Sequence, residues 1–159
     1  MAIQVRKYEA SKVAVVYTLS GEYGILSNFY PQEIKFEGMT AVAPEALYQA
    51  LKFEDPKYRR YVLAAKNPVE AKKRGRARQA DYVDVPCRVA IMRTVLKLRA
   101  QDAKFRERLL STGSQPIVER SALDQFWGAR PQGNQLIGRN VLGRLLMELR
   151  EQLRKQYQS

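Results

Sequence analysis

The chain has no histidine and one cysteine, Cys87, and these two shortages exclude more chemistry than the residues present point to. Without an imidazole there can be no Ser-His-Asp or Cys-His nucleophile system, no HExxH zinc site and no histidine general base. Any acid or base working near neutral pH must be a carboxylate, a lysine, a tyrosine, the cysteine or a bound water, and carboxylates are the default. One cysteine can form neither an internal disulfide nor a Cys-rich zinc site, so packing and hydrogen bonds must hold the fold. Cys87 itself reads as a small buried hydrophobe. Long apolar runs are also missing: none approaches the roughly 18 residues needed to cross a bilayer. The start Met1-Ala2-Ile3-Gln4-Val5-Arg6 lacks the apolar stretch of a secretory signal, so a cytoplasmic protein without a membrane partner is expected.

Acidic charge is scarce. Asp and Glu total 16 against 28 Lys and Arg, a formal net charge of +12. Such an excess attracts nucleic acid, phosphorylated metabolites or anionic membrane and says nothing about fold. Much of it lies in one segment: Lys57, Arg59, Arg60, Lys66, Lys72, Lys73, Arg74, Arg76 and Arg78 are opposed there only by Glu70. That segment is a candidate phosphate-facing surface, with solvated helix faces of a basic protein as the plain alternative.

The 159 residues, 45% of them hydrophobic, suffice for one core and not for two full domains. The pattern predicts an α+β fold, predominantly helical, with a few short N-terminal strands. Val13 to Thr18 is β-branched and aromatic, and Glu33 to Phe36 alternates before the turn at Glu37-Gly38. From Pro44 the period becomes helical, and Pro56 and Pro68 sit where further helices would start. Apolar positions Val89, Met92, Leu96, Phe105 and Leu109 predict one long helix, or two broken near Ala100 to Asp102. Ile117 to Glu119 reads as a brief strand, and Trp127 to Gly138, rich in Gly, Gln, Asn and Pro, as a loop. A final helix runs from about Asn140 with Leu142, Leu145, Leu146, Leu149 and Leu153 on one face.

Three places offer chemistry. On a helix, Glu45, Tyr48, Gln49 and Lys52 fall at i, i+3, i+4 and i+7 and share one stripe, with Leu47, Ala50 and Leu51 opposite. Ordinary surface helices have the same arrangement, so the spacing permits a site without identifying one. Gly138-Arg139-Asn140 ahead of the last helix could present free backbone N-H groups to an anion. Asp124, before Phe126-Trp127-Gly128, is either a site carboxylate or a turn residue.

Taken in order, these pieces resemble the YbiA-like, or NADAR, family of single-domain N-glycosidases. The resemblance runs through Gly24-Ile25-Leu26-Ser27-Asn28-Phe29-Tyr30, Glu45 with Tyr48-Gln49-Ala50 and Lys52-Phe53, and Ala71-Lys72 with Gly75-Arg76. It continues through Leu109 to Gly113, Val118-Glu119, Asp124 with Trp127-Gly128, and Gly138, Asn140, Leu142-Gly143 and Leu145-Leu146-Met147, covering roughly Glu22 to Arg150. Where the family commonly has His after the helix glutamate this chain has Ala46, and where it often has Asp-Trp this chain has Asp81-Tyr82. The resemblance implies hydrolysis of a C1-N bond between a phosphorylated ribose and an exocyclic amine, with no metal or cofactor. Two substrates fit: ADP-ribose on guanine in DNA, and the ribosylaminopyrimidine phosphates of early riboflavin synthesis. A noncatalytic module binding ADP-ribose or nucleic acid is the rival from another class. Glu45 is assigned to charge stabilisation or water activation, Asp124 to the opposite side or the ribose hydroxyls, and Lys52 to nucleophilic attack on the opened sugar. Asn28, Arg76, Arg139 and Asn140 are the expected phosphate or ribose contacts, Tyr82 and Trp127 the stacking partners, and Phe29, Tyr48, Gln49 and Gly128 complete the expected binding set.

Overall fold

The computed structural model describes residues 2–158 and has an α+β fold in which helices predominate. In chain order the elements are β1 (Arg6–Glu9), β2 (Ala14–Val16), β3 (Ile34–Phe36), β4 (Met39–Ala41), α1 (Pro44–Leu51), α2 (Pro56–Leu63), α3 (Pro68–Arg76), α4 (Val85–Arg99), α5 (Ala103–Ser111), β5 (Ile117–Glu119), β6 (Arg130–Gln132), β7 (Gln135–Gly138) and α6 (Val141–Gln158). The chain divides into two compact units, one from Asn28 to Gln101 and one made of the segments before and after it. Among the described residues no helix is long and apolar enough to cross a membrane.

In the central unit, β3 and β4 form an antiparallel hairpin that leads into α1, and α2, α3 and α4 all pack on α1. Prolines open α1, α2 and α3 within the first turn, where a missing N-H costs no intrahelical bond. Side-chain caps complete the starts: Asp55 accepts from Lys57 N, Asn67 from Glu70 N and Asp84 from Cys87 N. Glu70 also accepts from Lys66 N, the residue before the cap, which ties the incoming chain to the first turn of α3. Cys87 is only half-buried, because it sits in the first turn of α4 rather than on the core face of Val89, Met92 and Leu96. The largest departure from expectation concerns α1. All eight of its residues are buried, so its polar stripe is enclosed and is not the solvated face of an amphipathic surface helix.

In the other unit, β1, β7 and β6 form an antiparallel sheet in that order, and β2 pairs in parallel with β5. Val118, Ala129 and Leu136 make a small core there, with Tyr8, Ala10, Val13 and Val15 packed against it. The expected break between two helices is real: α5 starts afresh at its own cap, Asp102, which accepts from Phe105 N. Leu142, Leu145, Leu146, Leu149 and Leu153 form the buried face of α6, as their spacing predicts. The stretch read as a loop before α6 instead contains the hairpin of β6 and β7, turned at Gly133 with a positive φ of 60°. Its residues carry no alternating pattern because β6 is an edge strand, which tolerates Pro131 and polar side chains. Strand β1 was equally hidden: Arg6-Lys7-Tyr8-Glu9 becomes a strand only by pairing with Gln135–Gly138.

Candidate functional site

Helix α1 is the frame of the site. Its first turn is tied to the preceding segment where Glu45 N donates to Asn28 O at 2.9 Å, and the Asn28 side chain donates to Met92 Sδ of α4 at 3.1 Å. Just past its C-terminus, Lys52 O accepts from both Asp81 N and Tyr82 N, while Asp81 accepts from Glu54 N. These bonds bring the Asp81-Tyr82 segment to the end of the helix, and the Tyr82 hydroxyl meets Glu54 at 3.1 Å. Tyr82 thus lies beside Lys52 in the fold, although 30 positions separate them.

Glu45 is 7% exposed, Gln49 3% and Lys52 9%. A carboxylate and an ammonium this deeply enclosed must each find partners or give up charge. Burial pushes the Glu45 carboxyl above its ordinary value, against the opposing pull of the Gln49 hydrogen bond and of Lys72, Lys52 and Arg76. The Lys52 amine is lowered to about 8, mainly by burial and further by Arg76, Arg88 and Lys72, while Glu45 alone pulls it upward. Enclosure is the leading cause for both groups, and it moves both toward neutrality. The Lys52 ammonium also lies 5.6 Å from the centre of the Tyr48 ring, and Lys72 lies 5.5 Å from that of Phe29.

The orientation of Glu45 comes from Gln49, one turn further along α1, in a space left by α3. Gln49 Nε2 donates to Glu45 Oε1 at 2.7 Å, a bond that favours the charged form of the carboxyl. Gly75 of α3 makes room for this amide: a Cβ there would stand 2.8 Å from Gln49 Cβ and 2.9 Å from its Cδ, closer than atoms tolerate. Replacing Gln49 by Met keeps the bulk and removes the bond that favours the charged form of Glu45. The Glu45 carboxyl is then expected to rise further, moving the acid limb of the pH-rate profile to higher pH. A ¹³C titration of the side chain measures the shift, and an unmoved limb would remove Gln49 from this role.

The structure therefore brings Glu45, Tyr48, Gln49 and Lys52 together with Arg76, and adds two residues that were not expected as site members. Lys72 stands four residues before Arg76, one helical turn along α3, a spacing that could have revealed it. Arg88, on the first turn of α4, carried no local signal.

The remaining expected residues belong to the other unit, and the hydrogen bonds described for them stay within it. Asp124 Oδ1 accepts from Phe126 N and Trp127 N, which makes it a turn residue of the kind weighed as its alternative reading. Gly128 is wedged against Glu119 O, where a Cβ would stand at 2.7 Å. Arg139 Nε donates to Ile3 O. Asn140 is fully buried at a positive φ of 50°, and its side chain bonds Glu119 N and Ile117 O, locking β5 to the start of α6. The expected open anion site at that helix start is corrected by the backbone. The N-H groups of Arg139, Asn140, Val141 and Leu142 are all taken by carbonyls of Gln125, Gly128, Phe126 and Trp127. The loop folds back on the helix end and uses the donors that a phosphate would need.

The NADAR domain family matches residues 16–154, nearly the whole chain and across both units. The chain belongs to the NADAR family. A relative in Escherichia coli, the N-glycosidase YbiA, is 38% identical over 142 residues, covering 86% of each chain. An N-glycosidase of Nostoc punctiforme is 37% identical over 87% of this chain and 90% of its own length. A riboflavin biosynthesis protein of Vibrio vulnificus is 35% identical, but the match takes up only 38% of that longer protein. The solution structure of the Escherichia coli protein YbiA superposes with a TM-score of 0.77 at 31% identity, covering 100% of this chain and 96% of that one. Relatives of matching length thus support N-glycosidase activity for this NADAR protein.

Proposed function

We propose that this protein is an N-glycosidase that hydrolyses the C1-N bond between a phosphorylated ribose and an exocyclic amine. Its substrate on this reading is ADP-ribose attached to guanine in DNA. The observation that carries the reading is the enclosed Glu45-Lys52 pair, with Lys72 and Arg76 near enough to shift both groups. Cleavage needs stabilisation of positive charge at C1 and a proton for the leaving amine. Glu45 supplies the first by facing C1. The cations beside it suit the phosphates of the substrate. The partly deprotonated Lys52 suits attack on a ribosylamine, which opens to an imine at C1. Lys52 would add there, displace the base amine and form its own imine, and water would then release the sugar aldehyde and the free lysine. Tyr48 against the Lys52 ammonium, Phe29 against Lys72 and Tyr82 beside the end of α1 are the aromatic surfaces available to the substrate in the same unit.

DNA is favoured over a free nucleotide by the basic run from Lys57 to Arg78, since a strand presents many phosphates and a nucleotide one or two. The second reading, a ribosylaminopyrimidine phosphate, is favoured by the Vibrio vulnificus relative. Incubation with an oligonucleotide carrying ADP-ribosylated guanine, and separately with the pyrimidine substrate, separates them. Release of ADP-ribose from the first is the expected result. Release from the second alone reassigns the substrate, and binding without release from either makes the protein a noncatalytic module.

A further inference from the structure

A ladder of aromatic rings and guanidinium groups runs from the buried Phe53, just before α2, to the exposed Tyr61 on α2, with Arg74 of α3 and Arg78 just past it. Phe53 and Tyr58 lie 4.5 Å apart between ring centres, and Tyr58 and Tyr61 5.5 Å apart. Arg78 lies over Tyr58 at 4.9 Å, and Arg74 over Tyr61 at 4.5 Å. Both guanidiniums are held in place. Arg74 bonds Glu70 and Tyr61 O, and Arg78 pairs with Asp55 at 3.3 Å. The ladder is open at its Tyr61 end, where the side chain is 49% exposed. Around it, Lys57, Arg60 and Tyr61 fall at i, i+3 and i+4 on the exposed stripe of α2, and Lys73 is exposed on α3. The carboxylates of this face are spent on Arg74 and Arg78, or on capping helix starts, while Lys57, Arg60 and Lys73 add charge without an acidic partner among the described contacts.

A small anionic ligand would use the cations but has no need of aromatic rings and guanidinium planes packed beside them. A protein partner with an acidic surface would not need them either. Single-stranded nucleic acid uses both, since its backbone follows positive charge while its bases stack on aromatic and guanidinium planes. We propose that the α2-α3 face is a docking surface for single-stranded DNA, with a base stacking at the Tyr61-Arg74 end and phosphates on Lys57, Arg60 and Lys73. Duplex DNA keeps its bases paired and stacked, so it can use only the charges. The proposal rests on the nucleic-acid form of the glycosidase reading for its choice of strand, but it is tested by binding alone.

Fluorescence anisotropy with an unmodified, mixed-sequence single strand and its duplex provides the test. The single strand is expected to bind the wild-type protein more tightly than the duplex. Tyr61→Ala should weaken single-strand binding about 5- to 100-fold with little change in salt dependence. Lys57→Ala and Lys73→Ala should each lower the slope of log affinity against log salt by about 0.7. All three side chains are exposed, so the variants should fold, and release of sugar from a mononucleotide-sized substrate should be unchanged. Single-strand affinity within twofold of wild type in Tyr61→Ala, or equal affinity for the duplex, would overturn the proposal. Tyr61-dependent binding without any ADP-ribose release would instead overturn the glycosidase reading and leave this surface standing.

Discussion

Replacing Glu45 by Gln is expected to lower the rate of C1-N cleavage by about 10²- to 10⁴-fold, the range usual for a group that acts on the reacting atoms. The substitution keeps shape and volume inside a helix buried at all eight positions, so loss of packing cannot account for loss of rate. Stability should move the other way. A carboxyl whose folded value lies above its unfolded one contributes stability that is lost as pH rises through the folded value. At neutral pH, above the value of the unfolded carboxyl, burying Glu45 is therefore a cost to the fold, and Glu45→Gln should unfold at an equal or higher temperature than wild type. Reduced rate with undiminished stability is the expected joint result, read by turnover and by thermal unfolding. Near-normal turnover would remove Glu45 from the mechanism. The variant also loses the one interaction that raises Lys52, so the lysine should titrate below its wild-type value of about 8.

Borohydride added during turnover is expected to trap a sugar adduct on Lys52, and Lys52→Met should lose both the adduct and the activity. The physical basis is the fraction of amine that is neutral. With the group lowered to about 8, about a tenth of it is deprotonated at pH 7, against less than a thousandth for an ordinary lysine. Activity that depends on this amine should rise as pH increases through about 8 and level off above it. The linkage has a fixed sign. The unfolded chain holds the proton more tightly than the folded one between about 8 and the ordinary 10.5, so stability should also rise across that window. Mass spectrometry of the trapped protein locates the adduct. No adduct on Lys52 under turnover, together with a rate that is flat through pH 8, would leave Glu45 and water as the reacting groups.

Both predictions depend on enclosure, and enclosure was the part of the site that periodicity could not reveal. The spacing of Glu45, Tyr48, Gln49 and Lys52 placed them on one stripe, but the same spacing serves a solvated face. Their burial follows from α2, α3 and α4 closing around α1, an outcome of residues well apart in the chain. Lys72 and Arg76 were visible as charge and Gly75 as part of a motif. That Gly75 shapes the seat of Gln49 is a fact about two helices in contact, not about either sequence segment. The anion site read at the start of α6 failed for the same reason. Glycine and arginine before a helix predict free donors only if nothing folds back on them, and here Gln125 to Gly128 does.

What the sequence determined by itself was everything set by local rules or by outright absence. The missing histidine excluded whole reaction classes, the prolines and Asp or Asn caps marked helix starts, and the leucines of α6 named its buried face. The α+β class and the NADAR motifs were legible in the same way. Tertiary structure alone decided which polar residues are enclosed, which donors are already used and which charges act on one another. Those properties depend on distance and on exclusion of water between segments far apart in the chain, and no local pattern encodes them. The shifted states of Glu45 and Lys52 exist only once that exclusion is complete.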